Sequence, residues 1–215
     1  MRIALIHGTT AAVAPAVDGL AAGFPEAEPW NLLDDRLLPD ADAAGGLTPA
    51  LAERMSRLIA FAKDGGAAGV LLTCSMYGPV AETTDIGVPV LAPDEAAFAR
   101  VAREQWADVL VVASFATAAL DAVQRLRAVV EGTEVESATS TAAMGPSRTG
   151  DTAGLADALY ATVRAGRGYD AVVLAQYSLA PAADLLQDRL GVPVVSGPLA
   201  AAALLKTQLT ERPSA

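Results

Sequence analysis

Along this chain, short unbroken apolar runs alternate with longer stretches in which apolar residues, mostly Ala, recur at helical spacing. The runs predict strands at 2–7 (RIALIH), 68–73 (AGVLLT), 88–91 (VPVL), 108–113 (DVLVVA), 133–138 (TEVESA), 170–175 (DAVVLA) and 192–195 (VPVV), with a weaker one at 27–32 (AEPWNL). The longer stretches predict helices at 11–22, 48–64, 94–104, 116–130, 152–165, 180–189 and 198–210. Strands without polar alternation are the mark of a parallel sheet covered on both faces. Strand–helix alternation from end to end gives an α/β class.

Punctuation between the elements agrees. Thr48 followed by Pro49 is an N-cap and first-turn pair. Asp94 and Glu95 after Pro93 put negative charge where a helix dipole favours it. The glycines of DGG at 64–66 and AGRG at 165–168 stop helices just ahead of strands.

The pattern also repeats. Residues 3–10 (IALIHGTT) resemble 109–117 (VLVVASFAT): an apolar strand, then small and hydroxylated residues, then a helix. The stretch 69–80 (GVLLTCSMYGPV) resembles 171–182 (AVVLAQYSLAPA), and GVPVL at 87–91 resembles GVPVV at 191–195. Corresponding elements in the same order predict two pseudo-symmetric α/β lobes. Each is a mostly parallel sheet flanked by helices; if the two face each other, the active site is expected in the cleft between them. The first lobe is expected over 1–97, with a C-terminal helical segment 198–215 packing back on it, and the second over 98–197.

Composition removes several classes of function. The chain has 215 residues, 53% of them hydrophobic, and a net charge of −10, with a pI near 4.5. No Lys/Arg cluster provides the positive footprint that nucleic acid requires. One Cys and one His among dispersed carboxylates give neither a disulfide framework nor metal-ligand spacing, so no metal is expected. The apolar runs fall well short of the ~18 residues of a membrane span, and no secretory signal is evident. A cytoplasmic location follows as the expectation, with no membrane partner. A homo-oligomer is compatible with everything above. There is no G-x-x-x-x-G-K-[ST] loop, and GRGYDA at 166–171 precedes a strand instead of following one, so no nucleotide cofactor is indicated.

In open parallel sheets, ligands bind beyond the carboxyl ends of the strands. His7, Thr9 and Thr10 fall there, as do Cys74, Ser75 and Met76. In the second half, Ser114, Phe115 and Thr117 fall there with Gln176, Tyr177 and Ser178. Cys74 is the sharpest candidate. It follows a buried strand and precedes a turn whose N–H groups favour thiolate, which is both a base and a nucleophile. A lone Cys in an apolar context is otherwise a small buried hydrophobe. His7, at the end of the first strand, is a candidate acid/base beside it or a local helix cap. The hydroxyls of Thr9, Thr10, Thr73, Ser75, Ser114, Thr117 and Ser178 suit carboxylate binding without lysine. The Gly/Ser/Thr-rich segment 139–152 reads either as a loop closing over the site and carrying Arg148 to an anion or as a plain solvated loop.

Together these features resemble the aspartate/glutamate/hydantoin racemase superfamily, with its arylmalonate decarboxylase and maleate isomerase branches. The resemblance covers nearly the whole chain. It implies a cofactor-independent enzyme acting on a small carboxylate, with the substrate between the lobes and a Cys after the third strand of each. Cys74 matches the first of these positions and Gln176 occupies the second. Gln176 has no titratable proton, so Tyr177 or His7 would supply the second base of a racemase. Phe115 lies where the decarboxylase and isomerase branches have a tyrosine. Decarboxylation or cis–trans isomerisation needs only one thiol. A small-ligand binding protein on a degenerate enzyme scaffold is the reading outside catalysis.

Overall fold

The computed structural model describes Met1–Glu211. The last four positions of the segment expected to pack back on the first lobe, 212–215, lie outside the described residues. The chain divides into two units. Unit 1 is Met1–Pro93 together with the chain from Pro198 on, and unit 2 is Asp94–Gly197.

Unit 1 runs β1 (Arg2–His7), α1 (Val13–Gly23), β2 (Glu28–Leu33), α2 (Leu37–Ala44), α3 (Pro49–Asp64), β3 (Gly69–Leu72), α4 (Gly78–Thr83) and β4 (Val90–Leu91). Its four strands are all parallel, in the order β2-β1-β3-β4, with Ile3 opposite Gly69 and Arg2 opposite Glu28. All four residues of β3 and the last five of β1 are buried, which is why both read as unbroken apolar runs. The edge strand β2 is mixed and mostly open, which accounts for its weak signal in the sequence. On one sheet face, Ala4, Ile6, Val70 and Leu72 pack under Leu37, Met55, Ile59 and Tyr77. Thr48 accepts from Leu51 N–H at 3.3 Å and Pro49 opens α3, as their order in the sequence predicts.

Unit 2 runs α5 (Glu95–Glu104), β5 (Asp108–Ala113), α6 (Ala116–Arg127), β6 (Glu134–Thr139), α7 (Met144–Thr149), α8 (Thr152–Arg164), β7 (Ala171–Leu174), α9 (Ala183–Leu190) and β8 (Val194–Ser196). Its sheet is again all parallel, in the matching order β6-β5-β7-β8. Val109, Val111 and Val173 face α5 and α6, while Leu110, Val112 and Val172 face α8 and α9. The repeat read from the sequence is therefore a repeat of sheet order. Asp94 does not cap α5. Its buried carboxylate is held by both terminal nitrogens of Arg125.

The last helix, α10 (Gly197–Thr210), belongs almost wholly to unit 1. It passes so close to α1 that a Cβ on Gly19 would lie 2.5 Å from Pro198 Cβ, and one on Gly23 would lie 2.9 Å from Ala202 Cβ. Lys206 pairs with Glu26 at 3.0 Å and lies over the Phe24 ring.

The segment 139–152 corrects one expectation. It is not an open loop: β6 ends at Thr139, a single 3-10 turn follows at Thr141–Ala143, and then α7. Gly150, with φ of 71°, ends α7, and Asp151 caps α8 by accepting from Gly154 N–H at 2.9 Å. Arg148 sits exposed in the last turn of α7. Small residues that read as loop are here spent on caps and a helix stop. No described helix is long and apolar enough to cross a membrane.

Candidate functional site

In unit 1 the chain passes from β1 to β2 on one side and then returns to place β3 on the other. The order therefore reverses between β1 and β3, and the crevice at a switch point of this kind opens beyond the carboxyl ends of those two strands. His7 and Gly8 close β1, and Thr73 and Cys74 follow β3. Thr73 N–H donates to Ile6 O at 3.0 Å, carrying the pairing one residue past β3.

Cys74 is half-buried and packs at the margin of the apolar cluster on the α2–α4 side of the sheet, together with Met76. Gly8 lies directly against it. A Cβ on Gly8 would stand 3.5 Å from Cys74 Cβ and Sγ and 3.7 Å from Leu37 Cβ. The thiol thus has backbone, not a side chain, on that flank. Ser75 is half-buried in the turn after Cys74. Thr9 is half-buried, with its hydroxyl accepting from Ala11 N–H at 3.4 Å, and Thr10 is exposed.

His7 is wholly buried. Its Nδ1 is 2.9 Å from Thr73 Oγ1 and its Nε2 is 2.9 Å from Asn31 Oδ1 on β2. Burial lowers its pKa below the ordinary histidine value, against a smaller opposing effect of the Asn31 hydrogen bond. Both ring nitrogens are engaged inside the protein.

Three features of this edge were not legible in the sequence. Asn31 is one of them: a polar residue in a weak strand, with nothing in its spacing to mark it. Tyr77 is another. It is wholly buried and donates from its hydroxyl to Leu37 O at 2.8 Å, and burial and the neighbouring Cys74 push it up to about 12. The third is an ion network at the end of β2. Arg54 clasps Asp34 through two 2.6 Å bonds and reaches Asp40 at 3.0 Å. Only the helical position of Arg54, on the flank of α3, could have pointed to it.

Unit 2 has the same reversal between β5 and β7. Gln176 stands where unit 1 has Cys74, and its Oε1 accepts from Ser114 N–H at 2.6 Å. The amide therefore fastens the end of β7 to the turn after β5. Ser114 is buried, Phe115 packs on the α5–α6 cluster, and Thr117 is exposed. Ser178 is half-buried, and its carbonyl accepts from Ser147 Oγ at 3.0 Å. Tyr177 is buried, and its hydroxyl makes no hydrogen bond among the described residues. Burial, reinforced by Asp94, pushes its pKa well above the ordinary phenol range. The shift favours the protonated phenol. Among the described residues no group of three or more His, Cys, Asp or Glu side chains is arranged to hold a metal.

No protein-family model matches the chain, and no curated protein matches it in sequence. Solved structures do match in fold. An aspartate racemase from Picrophilus torridus superposes with a TM-score of 0.76 at 14% identity, covering 99% of this chain and 96% of its own. A glutamate racemase from Campylobacter jejuni subsp. jejuni gives 0.72 at 15% identity, covering 97% and 86%. An allantoin racemase from Klebsiella pneumoniae gives 0.70 at 18% identity, covering 98% and 88%. The fold expected from the sequence, two parallel-sheet α/β halves of the racemase type, is the fold observed.

Proposed function

We propose that this chain is an enzyme of the aspartate/glutamate/hydantoin racemase superfamily, an isomerase of racemase type that acts on a small carboxylate through the Cys74 thiol. The observation that carries this reading is the location of Cys74. The only thiol in the sequence follows a wholly buried central strand at the point where the strand order reverses, with the bare backbone of Gly8 at its flank. The fold held in common with aspartate, glutamate and allantoin racemases supports it. As thiolate, Cys74 removes a proton from Cα or adds to an activated double bond. Turn N–H groups and the Thr9 and Ser75 hydroxyls are the donors for the carboxylate and for charge developing on it.

A specific observation favours a one-sided form of this chemistry. Two-base racemisation takes a proton from one face of Cα and returns one to the other. Gln176 has no titratable proton and its carbonyl is tied to Ser114. His7 has both ring nitrogens engaged. A single thiol is sufficient for decarboxylation of a malonate-type acid, in which the C–C bond breaks, CO2 leaves and the thiol protonates the carbanion. It is also sufficient for cis–trans isomerisation, in which it adds, allows rotation and leaves.

Incubation in D2O with amino acids, malonates and maleate, followed by NMR, separates these outcomes: exchange at Cα, loss of CO2, or a shifted double bond. Turnover of the active compound is expected to fall to background in Cys74→Ala and Cys74→Ser, while the circular dichroism of both variants matches the parent. Turnover surviving in Cys74→Ala would overturn the assignment.

A further inference from the structure

We propose that His7 is a positioning residue, a neutral imidazole protonated at Nε2 that ties Asn31 to Thr73 and so fixes the turn carrying Cys74. It deepens the role proposed for Cys74 above, and rests on it for its catalytic meaning.

The contacts around the ring place one proton, and burial decides the other. Asn31 presents Oδ1, an acceptor, to Nε2, so Nε2 carries the proton. A neutral imidazole then has a lone pair at Nδ1, and the partner there must donate. Thr73 Oγ1 is the partner, at 2.9 Å. The same hydroxyl is 3.2 Å from Ile6 O, which also accepts Thr73 N–H at 3.0 Å and has a second lone pair to offer. With a neutral ring the hydroxyl proton goes to Nδ1, the shorter contact, whose lone pair would otherwise be buried unpaired. Complete burial of the ring selects the neutral form: an imidazolium could donate to the Thr73 hydroxyl, but it would be a desolvated charge with only the neutral groups of Asn31 and Thr73 at its nitrogens.

The consequence is mechanical. His7 sits on the central strand and reaches both neighbours, β2 through Asn31 and the end of β3 through Thr73. Thr73 is the residue immediately before Cys74. Its backbone is pinned by Ile6 and its side chain by His7, so the Cys74 turn leaves β3 from a point held twice. His7 does not need to touch the substrate to matter for it.

The chain has a single histidine, so a long-range 1H–15N spectrum of the labelled protein shows one imidazole only. The expected spectrum has a protonated Nε2 and an unprotonated Nδ1, unchanged from about pH 5.5 to 8, the window in which an ordinary histidine titrates. A ring that titrates there, or one protonated at Nδ1, overturns the proposal. The mechanical half is read by alkylation of Cys74 with iodoacetamide in Thr73→Val and Thr73→Ser. Valine keeps the branch and removes the hydroxyl, and serine keeps the hydroxyl. Loss of one neutral hydrogen bond corresponds to roughly a fivefold larger population of the opened turn, so Thr73→Val should alkylate about fivefold faster. Thr73→Ser should stay near the parent rate with the parent imidazole spectrum. Equal rates in Thr73→Val and the parent overturn the positioning role. Neither arm needs a substrate. If no compound of the D2O panel turns over, the functional reading fails while these two results stand or fall by themselves.

Discussion

At the scale of single residues, burial decides which titratable groups keep their ordinary chemistry. His7 titrates near its ordinary value of 6.5 in the unfolded chain and lower in the fold, because burial penalises the charged ring. Below that value the unfolded chain binds a proton that the fold refuses, so stability falls as pH drops from about 6.5 toward the folded pKa and is flat above it. Glu26 and Glu136, whose pKa values are lowered by hydrogen bonds to Lys206 and to Tyr169, lose their contributions only further down, below 4.5. Urea unfolding between about pH 5 and 7 is expected to show this slope in the parent and to lose it in His7→Gln. Tyr177 gives a second test. Its hydroxyl makes no hydrogen bond among the described residues, so Tyr177→Phe removes a desolvated group without breaking a pair. The unfolding free energy is expected to stay level or rise by up to about 1 kcal/mol. A fall of that size would mean the hydroxyl has a partner in solution. The sequence revealed Cys74 through its strand-end position, but it could not reveal that His7 is sealed in. Solvent access at a strand end depends on what the two neighbouring strands carry, and Asn31 and Thr73 are 42 positions apart.

At the scale of elements, what was legible follows from burial symmetry. Strands covered on both faces, such as β3 and β7, appear as unbroken apolar runs, and helices over them carry one apolar stripe. The short helices α2, α4 and α7 were missed. They are six to eight residues long, too short for a stripe to repeat, and α4 and α7 contain Gly and Pro. The contact between α1 and α10 was also invisible, because it is made by absence: Gly19 and Gly23 leave a groove one turn apart on α1. Gly19→Ala would place a methyl 2.5 Å from Pro198 Cβ and 2.7 Å from its backbone carbon. Overpacking of this kind costs about 1–3 kcal/mol. Gly168→Ala is the control, since nothing beyond its chain neighbours lies within 4 Å of its added methyl and its φ is not positive. There the gain from a stiffer unfolded chain is about 0.4–1 kcal/mol. Thermal unfolding of the two variants should move in opposite directions.

At the scale of the whole molecule, two similar sheets are threaded differently by the same chain. Unit 2 is one continuous stretch, Asp94–Gly197, and it interrupts unit 1, whose remaining piece is α10. The repeat of elements was legible because it is written in strand-length apolar words, whereas the order of strands within each sheet came only with the structure. The return of α10 was expected only as a packing guess, since an Ala-rich helix fits many surfaces. The expressed segment Asp94–Gly197 is expected to unfold cooperatively in urea. Met1–Pro93 alone is expected to lack a cooperative transition, because Ala201, Ala202 and Leu205 of α10 are buried in the full chain. A cooperative transition in Met1–Pro93 would show that α10 is dispensable. On the ribosome this threading sets an order of birth. The half that carries Cys74 emerges first and is finished last, since the helix that closes it leaves the exit tunnel only after the other half has been made. A nascent chain truncated anywhere in α10 would therefore release a protein with a complete second half and an unfinished thiol-bearing one.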